Sequence, residues 1–357
     1  MNKSKPVGLV GLVNLGNTCF LNSCLQVLNQ ITELHNIVEN ATPKAQDLPD
    51  CIMLKEWLEL RHIMWSGNGS LSPNKFVHMV QHVASIKQRD LFTGWAQNDI
   101  SEFLLFLIEC FHNSISHKAK IQINGNPENE RDQRAIICYK LIQTIYAKEY
   151  SKIMDLLYGV YMTEIIDSEI IDCEIIDCEH QKILSTKAEH YFILDLQIFY
   201  NNTVCGNIYD CFNLFIMPEL MTGENAWFNE ETGQKQTVNR QVNFWNFPDI
   251  LVITLKRFSP DGVRKLQHLV DFPLEDLDLS KYAKGYDASK NVYDLFGVCN
   301  HSGGVLGGHY TAFVKNQEGI WYHYNDQMIE LINNPQTVVS PAAYCLFYRK
   351  KIPYCNI

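Results

Sequence analysis

Apolar residues recur at positions 20, 21, 24, 25 and 28 of the stretch Phe20–Leu28. That three-and-four spacing lines one face of an α-helix. Ile100–Ile115 (ISEFLLFLIECFHNSI) repeats the pattern with a denser apolar content and predicts a second, more buried helix. His117–Asp132 is polar and rich in Gly, Asn and Glu, which predicts a loop, and helical periodicity returns over Ala135–Leu157. Glu164–Cys178 then breaks the pattern with three tandem pentads, EIIDS, EIIDC and EIIDC. Paired isoleucines favour strand, and because five is odd, successive units of an extended chain present alternate faces. A short duplication in a tolerant edge hairpin accounts for the repeat.

From Tyr191 onward the apolar positions alternate in short runs: YFILDLQI, ILVITLKRF, NVYDLFGVC, HYTAFVKN and WYHYND. Turn markers separate them, among them Thr232-Gly233, Asp261-Gly262 and Glu318-Gly319. Helices first and antiparallel strands later predict an α+β fold rather than a wound parallel sheet. There is no obvious linker and no low-complexity tail in the 357 residues, so a single unit is expected over 1–357.

Composition narrows the class. Apolar residues make up 46% and charged residues 20%, ordinary for a globular chain. The formal net charge of −10 argues against general nucleic-acid binding. Val7–Val13 is apolar but too short for a signal peptide, and no run approaches a membrane span. The 12 cysteines are scattered rather than spaced as a disulfide framework. The expectation is a reduced, intracellular protein of the cytoplasm or nucleus, monomeric, with most thiols acting as small buried hydrophobes.

One of those cysteines is placed differently. Cys19 follows Asn14-Leu15-Gly16-Asn17-Thr18 and opens the first apolar helix. A thiolate is favoured at a helix N-terminus and beside an imidazolium. The histidine is found in GGHYTAFVKNQEGIWYHYND, two alternating runs around Asn316–Gly319 that read as a hairpin. If Val314 pairs with Ile320, His309 lies opposite Asn325; if Lys315 pairs with Ile320, it lies opposite Asp326. Either residue would orient the imidazole, which would take the proton of Cys19 and return it to a leaving amine. A neutral amide suffices as third member, because Cys-His-Asn is a variant of triad logic. The backbone N–H of Cys19 and the side-chain amide of Asn14 are candidate donors to an oxyanion. Each residue alone also has a plain reading: a core cysteine, a hydrogen-bonded strand histidine, turn or cap asparagines.

Taken together the segments resemble a known family. GLVNLGNTCFLNSCLQVL resembles the cysteine box of the ubiquitin-specific proteases, and YDLFGVCNHSGGVLGGHYTAFVKN with WYHYND resembles their histidine box. GWAQNDISEFLLFLIE, YSKIMDLLYGVYMTEI and FPDILVITLKRF resemble three further family segments, in the family's order. The resemblance implies a papain-like core with a helical thumb (about 8–157), β fingers (about 158–247) and a β-sheet palm (about 248–350). It implies a thiol protease that cuts the peptide or isopeptide bond after the C-terminal glycine of ubiquitin, with ubiquitin and ubiquitinated proteins as partners and no cofactor. Carried over residue by residue, Cys19 is the nucleophile, His309 the general base, Asn325 the third triad member, Asp326 the acidic residue after it and Asn14 the oxyanion donor. Asp99 and Glu102 match positions that hold the arginine-bearing tail of ubiquitin, although D-x-x-E also reads as a helix cap. Gly307 and Gly308 would let a Gly-Gly strand approach, and His301 and Tyr310 match pocket-lining positions; turn requirements and core packing explain these four nearly as well.

Two departures stand out. Many relatives carry a zinc knuckle of two Cys-X-X-Cys pairs. Its second pair would fall near Asn229 and Thr232, and its first in the pentad repeat, where Cys173, Cys178 and His180 do not supply the four ligands of a closed site. No metal is therefore expected. Thr254 stands where the family has histidine. Two alternative readings fit the same residues: a ubiquitin-binding pseudoenzyme, and a protease for another ubiquitin-like modifier.

Overall fold

The computed structural model describes residues 8–168, 182–201, 203–259, 262–304 and 307–351. The chain begins with β1 (Val10–Leu12), α1 (Cys19–Leu28), α2 (Thr32–Glu39) and α3 (Pro49–Ser66). Then come β2 (Gly69–Leu71), α4 (Asn74–Ile86), α5 (Ile100–Ile115), α6 (Glu130–Lys148) and α7 (Lys152–Leu157). Every residue of α1 is buried, polar Asn22, Ser23 and Gln26 included, so this helix is the core of the thumb rather than an amphipathic surface element. Pro49 opens α3 at a position where its missing N–H costs nothing. Asn129 caps α6 by accepting from the N–H of Asp132 at 3.0 Å, which ends the expected loop three residues early. The expected Ala135–Leu157 helix is two helices, broken where Tyr150 pairs with His117.

The strand-rich half begins with β3 (Gly159–Asp167), β4 (Ile183–Tyr191), β5 (Ile193–Gln197), β6 (Phe199–Tyr200) and β7 (Thr203–Val204). After α8 (Ile208–Ile216) follow β8 (Glu219–Met221), β9 (Trp227–Asn229), β10 (Gln234–Gln236) and β11 (Val238–Asn246). The last strands are β12 (Ile250–Lys256), β13 (Leu277–Asp278), β14 (Val292–Gly304), β15 (Gly307–Lys315), β16 (Trp321–Asn325), β17 (Met328–Leu331) and β18 (Ala343–Lys350). The palm is the sheet β17-β16-β15-β14-β18-β12-β5, with β13 paired to β14, and the fingers are the sheet β4-β3-β11-β8. β5 joins the palm by a parallel pairing with β12, although it lies inside the stretch expected to form fingers.

The palm is buried on both faces. One face packs with α1, α3, α4 and α5 in a single cluster that includes Leu25, Trp57, Phe103, Phe111 and Phe347. The other packs with α8 around Phe212, Phe244 and Tyr348. α8 is fixed by a full capping box in which Asn207 and Asp210 satisfy each other's backbone N–H. In the fingers the carboxylate of Glu164, which is 2% exposed, accepts from Arg134 Nε of α6 at 2.8 Å and Asn243 Nδ2 of β11 at 2.7 Å. A buried carboxylate is tolerated only when so paired. The first pentad of the repeat lies at the end of β3; residues 169–181, with Cys173, Cys178 and His180, lie outside the described residues. Thr254 is buried in β12 and its hydroxyl donates to Asp195 of β5, so the residue that departs from the family ties the parallel edge strand to the palm.

Candidate active site

The turn before α1 is built around one carboxamide. Gly16 and Asn17 take left-handed backbone angles, φ +105° and +57°. Asn14 Oδ1 accepts from the N–H groups of Gly16 at 3.0 Å and Thr18 at 3.1 Å, while Thr18 Oγ1 accepts from the N–H of Leu15 at 3.0 Å. These bonds fix the Asn14 amide with its Nδ2 turned outward, and they start the helix at Cys19 without a side-chain cap.

α1 packs on β15, and the backbone N–H of Tyr310 on that strand acts on the Cys19 thiol. His309 is the preceding residue of β15. Burial pushes the Cys19 thiol up. The N–H groups of Tyr310, Phe20 and Cys19 itself pull it back down, and the Asp326 carboxylate adds to the rise. The expected lowering at a helix N-terminus is present but smaller than the cost of desolvation.

The hairpin register differs from both sequence alternatives. Val314 pairs with Tyr322 and Lys315 with Trp321, neither with Ile320. Ile320 sits in the turn, where the Asn316 side-chain oxygen accepts from its N–H at 2.8 Å. Ladder pairing ends at Ala312 with Tyr324, so His309 has no residue directly opposite. Continued by one step, the register would set Asn325 opposite Thr311, on the same face as His309. His309 Nε2 meets Asn325 Oδ1 at 2.7 Å across that diagonal. With Asn325 Oδ1 as acceptor, the His309 N–H that meets it is the one on Nε2, and Nδ1 lies on the other side of the ring.

Asp326 lies 3.9 Å from His309 Nε2 and does other work. Its Oδ2 accepts from Asn14 Nδ2 at 3.0 Å and its Oδ1 from Asn22 Nδ2 at 2.8 Å. It stands at φ +51°, which turns the chain out of β16 and returns its carboxylate towards α1. Asn22, 2% exposed and also bonded to the Leu12 carbonyl, was not singled out from the sequence; its place one helical turn after Cys19 is the only local signal.

The remaining sequence candidates divide. Asp99 caps α5 by accepting from the Ser101 N–H at 2.8 Å, and its other oxygen accepts from the Tyr344 hydroxyl, so both oxygens are engaged. Glu102 is exposed one turn along α5. His301 and Tyr310 are 5% and 6% exposed and pack together, with ring centroids 4.6 Å apart and planes tilted by 40°. Burial, aided by Lys265, pushes the His301 imidazole down to about 4 against the opposing pull of Asp99, so it is neutral and packed. An added Cβ on Gly308 would stand 2.3 Å from His301 Nε2 and 2.4 Å from the Ser302 carbonyl oxygen, so only glycine fits there. Gly307 is bounded by Gln97, whose side-chain oxygen would lie 3.0 Å from an added Cβ.

No cluster of three or more metal-ligating side chains is found among the described residues. At the fingertip Asn229 Oδ1 accepts from the N–H of Glu231 at 2.9 Å, and its backbone carbonyl accepts from Gly233 at 2.8 Å. That end of the hairpin is closed by an Asx turn and presents no thiolate. Among the described residues no helix is long and apolar enough to cross a membrane.

The family profile described as ubiquitin carboxyl-terminal hydrolase matches residues 10–348. The chain belongs to that family. Human ubiquitin carboxyl-terminal hydrolase 2 is 32% identical over 368 residues, covering 99% of this chain and 57% of the relative. Human ubiquitin carboxyl-terminal hydrolase 21 is 32% identical over 374 residues, covering 96% and 61%. The chain thus spans about three fifths of these relatives' length. A solved structure of the SAGA DUB module, containing Ubp8, Sgf11, Sus1 and Sgf73 and bound to monoubiquitin, matches 98% of this chain and 72% of its own, with TM-score 0.68 and 24% identity. The same module bound to ubiquitin aldehyde matches 98% of this chain and 71% of its own, again with TM-score 0.68 and 24% identity. At that identity the likeness bears on the fold, and it agrees with the thumb, palm and fingers seen here.

Proposed function

We propose that this chain is a deubiquitinating thiol protease that hydrolyses the peptide or isopeptide bond after the C-terminal glycine of ubiquitin. The observation that carries the reading is the 2.7 Å bond from His309 Nε2 to Asn325, on the residue adjoining the Tyr310 N–H that acts on the Cys19 thiol.

In this reading His309 Nδ1 takes the thiol proton as Cys19 Sγ adds to the carbonyl carbon of the terminal glycine. The carbonyl electron pair moves to oxygen, which receives hydrogen bonds from the Cys19 N–H and from Asn14 Nδ2. A raised thiol is compatible with this path, since proton transfer accompanies attack and the imidazolium stabilises the sulfur as charge develops. Collapse breaks the C–N bond, and the amine leaves with the proton from His309. Water then adds to the thioester, giving its proton to Nδ1, and the thiolate departs and is reprotonated. Asn325 holds the ring tautomer. Asp326 acts on the opposite partner: clamped by Asn22, it aims the Asn14 amide. Exposed Glu102 is the carboxylate open to an arginine of the tail, while Asp99 serves first as the cap of α5.

A ubiquitin C-terminal electrophilic probe tests the proposal. Wild type is expected to become labelled at Cys19, and the Cys19→Ser variant to resist. Folded wild type that takes no label would replace this reading with that of a ubiquitin-binding pseudoenzyme, and labelling only by a related modifier's probe would reassign the substrate.

A further inference from the structure

The edge of β15 that leads to Cys19 is already occupied. β15 pairs with β14 along its length, but β16 covers only Ala312–Lys315 of the other edge. In a strand, alternate residues direct their N–H and C=O to the same side. Gly308 and Tyr310 therefore share one edge, and the Tyr310 N–H on that edge acts on the Cys19 thiol. An extended chain pairing with Gly308 would be delivered to Cys19, as in strand addition to an open sheet edge. That pairing position is filled by a side chain. The Gln97 carboxamide accepts from the Gly308 N–H at 2.8 Å and donates to the Gly308 carbonyl at 2.8 Å. One planar amide thus satisfies both main-chain groups, the pattern that a substrate peptide unit would make. The carboxamide also reaches Asn17 Oδ1 at 3.4 Å, and Asn17 Nδ2 holds the Trp95 carbonyl at 2.9 Å. The segment before α5 is thereby tied to both walls of the cleft, two residues before the nucleophile and one before the histidine.

We propose that Gln97 is an internal mimic of the substrate main chain, a latch that must leave Gly308 before an extended tail pairs with β15. This rests on the proposed function, and it adds a competitor for the tail site built into the chain itself. Gln97 lies in the quoted segment GWAQND but carries no sequence sign of this contact. The residue is exposed and its bonds face solvent, so they are weak enough to exchange.

The test is Gln97→Ala, with Gln97→Asn as a second variant whose amide is one methylene too short to span the same groups. Both are measured on fluorogenic ubiquitin C-terminal amide, with alkylation of Cys19 by iodoacetamide as a readout that needs no pairing at Gly308. Freeing the edge is expected to lower KM by about threefold to tenfold in both variants, the population gained when two exposed hydrogen bonds no longer hold the closed form. Iodoacetamide alkylation is expected to remain within about twofold, since a small reagent gains nothing from an open edge. A raised KM in either variant, with wild type active, would overturn the latch and make Gln97 a support of the cleft. Wild type that is alkylated by iodoacetamide yet neither cleaves nor is labelled by ubiquitin reagents would overturn the proposed function, and the latch with it.

Discussion

Asn325 and Asp326 are neighbours with separable tasks, and substitution should split them. Asn325→Ala removes the 2.7 Å side-chain bond to an imidazole 41% exposed. Freed, the ring samples about three χ1 wells and two χ2 orientations, of which one combination faces the thiol, a loss of about sixfold. The bond also strengthens when the ring becomes imidazolium, since a charge-assisted bond exceeds a neutral one by about 1–2 kcal/mol, a further factor of about 5–30. The product is a fall in kcat/KM of about 10²-fold, with little change in stability. Asp326 instead joins Asn14 to Asn22, and only Asn22 is deeply buried. Asn22 keeps its bond to Leu12, so Asp326→Ala is expected to cost about 1–2 kcal/mol of stability from the lost charged bond. Left-handed backbone at φ +51° adds about 1 kcal/mol for alanine, which Asp326→Asn avoids. Steady-state hydrolysis of fluorogenic ubiquitin and thermal unfolding of the three variants measure both quantities. A larger kcat/KM loss in Asp326→Asn than in Asn325→Ala would refute the assignment of the ring's partner and make the clamp on Asn14 the dominant factor.

Gly308→Ala must displace both His301 and the Ser302 backbone, and is expected to lower kcat/KM by about 10²-fold while the protein still folds, as cleavage assays and circular dichroism would show. His301 is depressed to about 4 in the folded protein against about 6.5 unfolded, so the unfolded chain binds the extra proton between those values. Its stabilising contribution is therefore whole above about pH 6.5 and is lost as pH falls towards 4, by about 3 kcal/mol at most. His301→Phe should flatten the slope of urea stability between about pH 4.5 and 6.5, and an unchanged slope would assign the acid limb to other groups. Activity is expected to survive strong chelators; chelator-induced unfolding, followed by near-ultraviolet circular dichroism, would contradict the expectation that no metal is needed.

Local pattern decided much of this protein. The spacing of apolar residues at 20, 21, 24, 25 and 28 places a helix directly behind Cys19, because a helix face is set by three-and-four periodicity alone. Alternation on either side of Asn316–Gly319 likewise specifies the hairpin that carries His309 and Asn325. Register was not legible, since the turn absorbs Ile320 through bonds to Asn316 that alternation does not encode, and a slip of one or two residues changes every partner. The diagonal bond from His309 to Asn325 exists because pairing stops at Ala312. Contacts between residues distant in the chain were decided only by tertiary packing. Asp326 reaches Asn14 across 312 positions and Asn22 across 304, and Gln97 reaches Gly308 across 211. The state of the Cys19 thiol belongs to the same group: the helix N-terminus is written in the sequence, but the burial that outweighs it arises where α1 is pressed against the palm, and solvation is a property of the assembled fold.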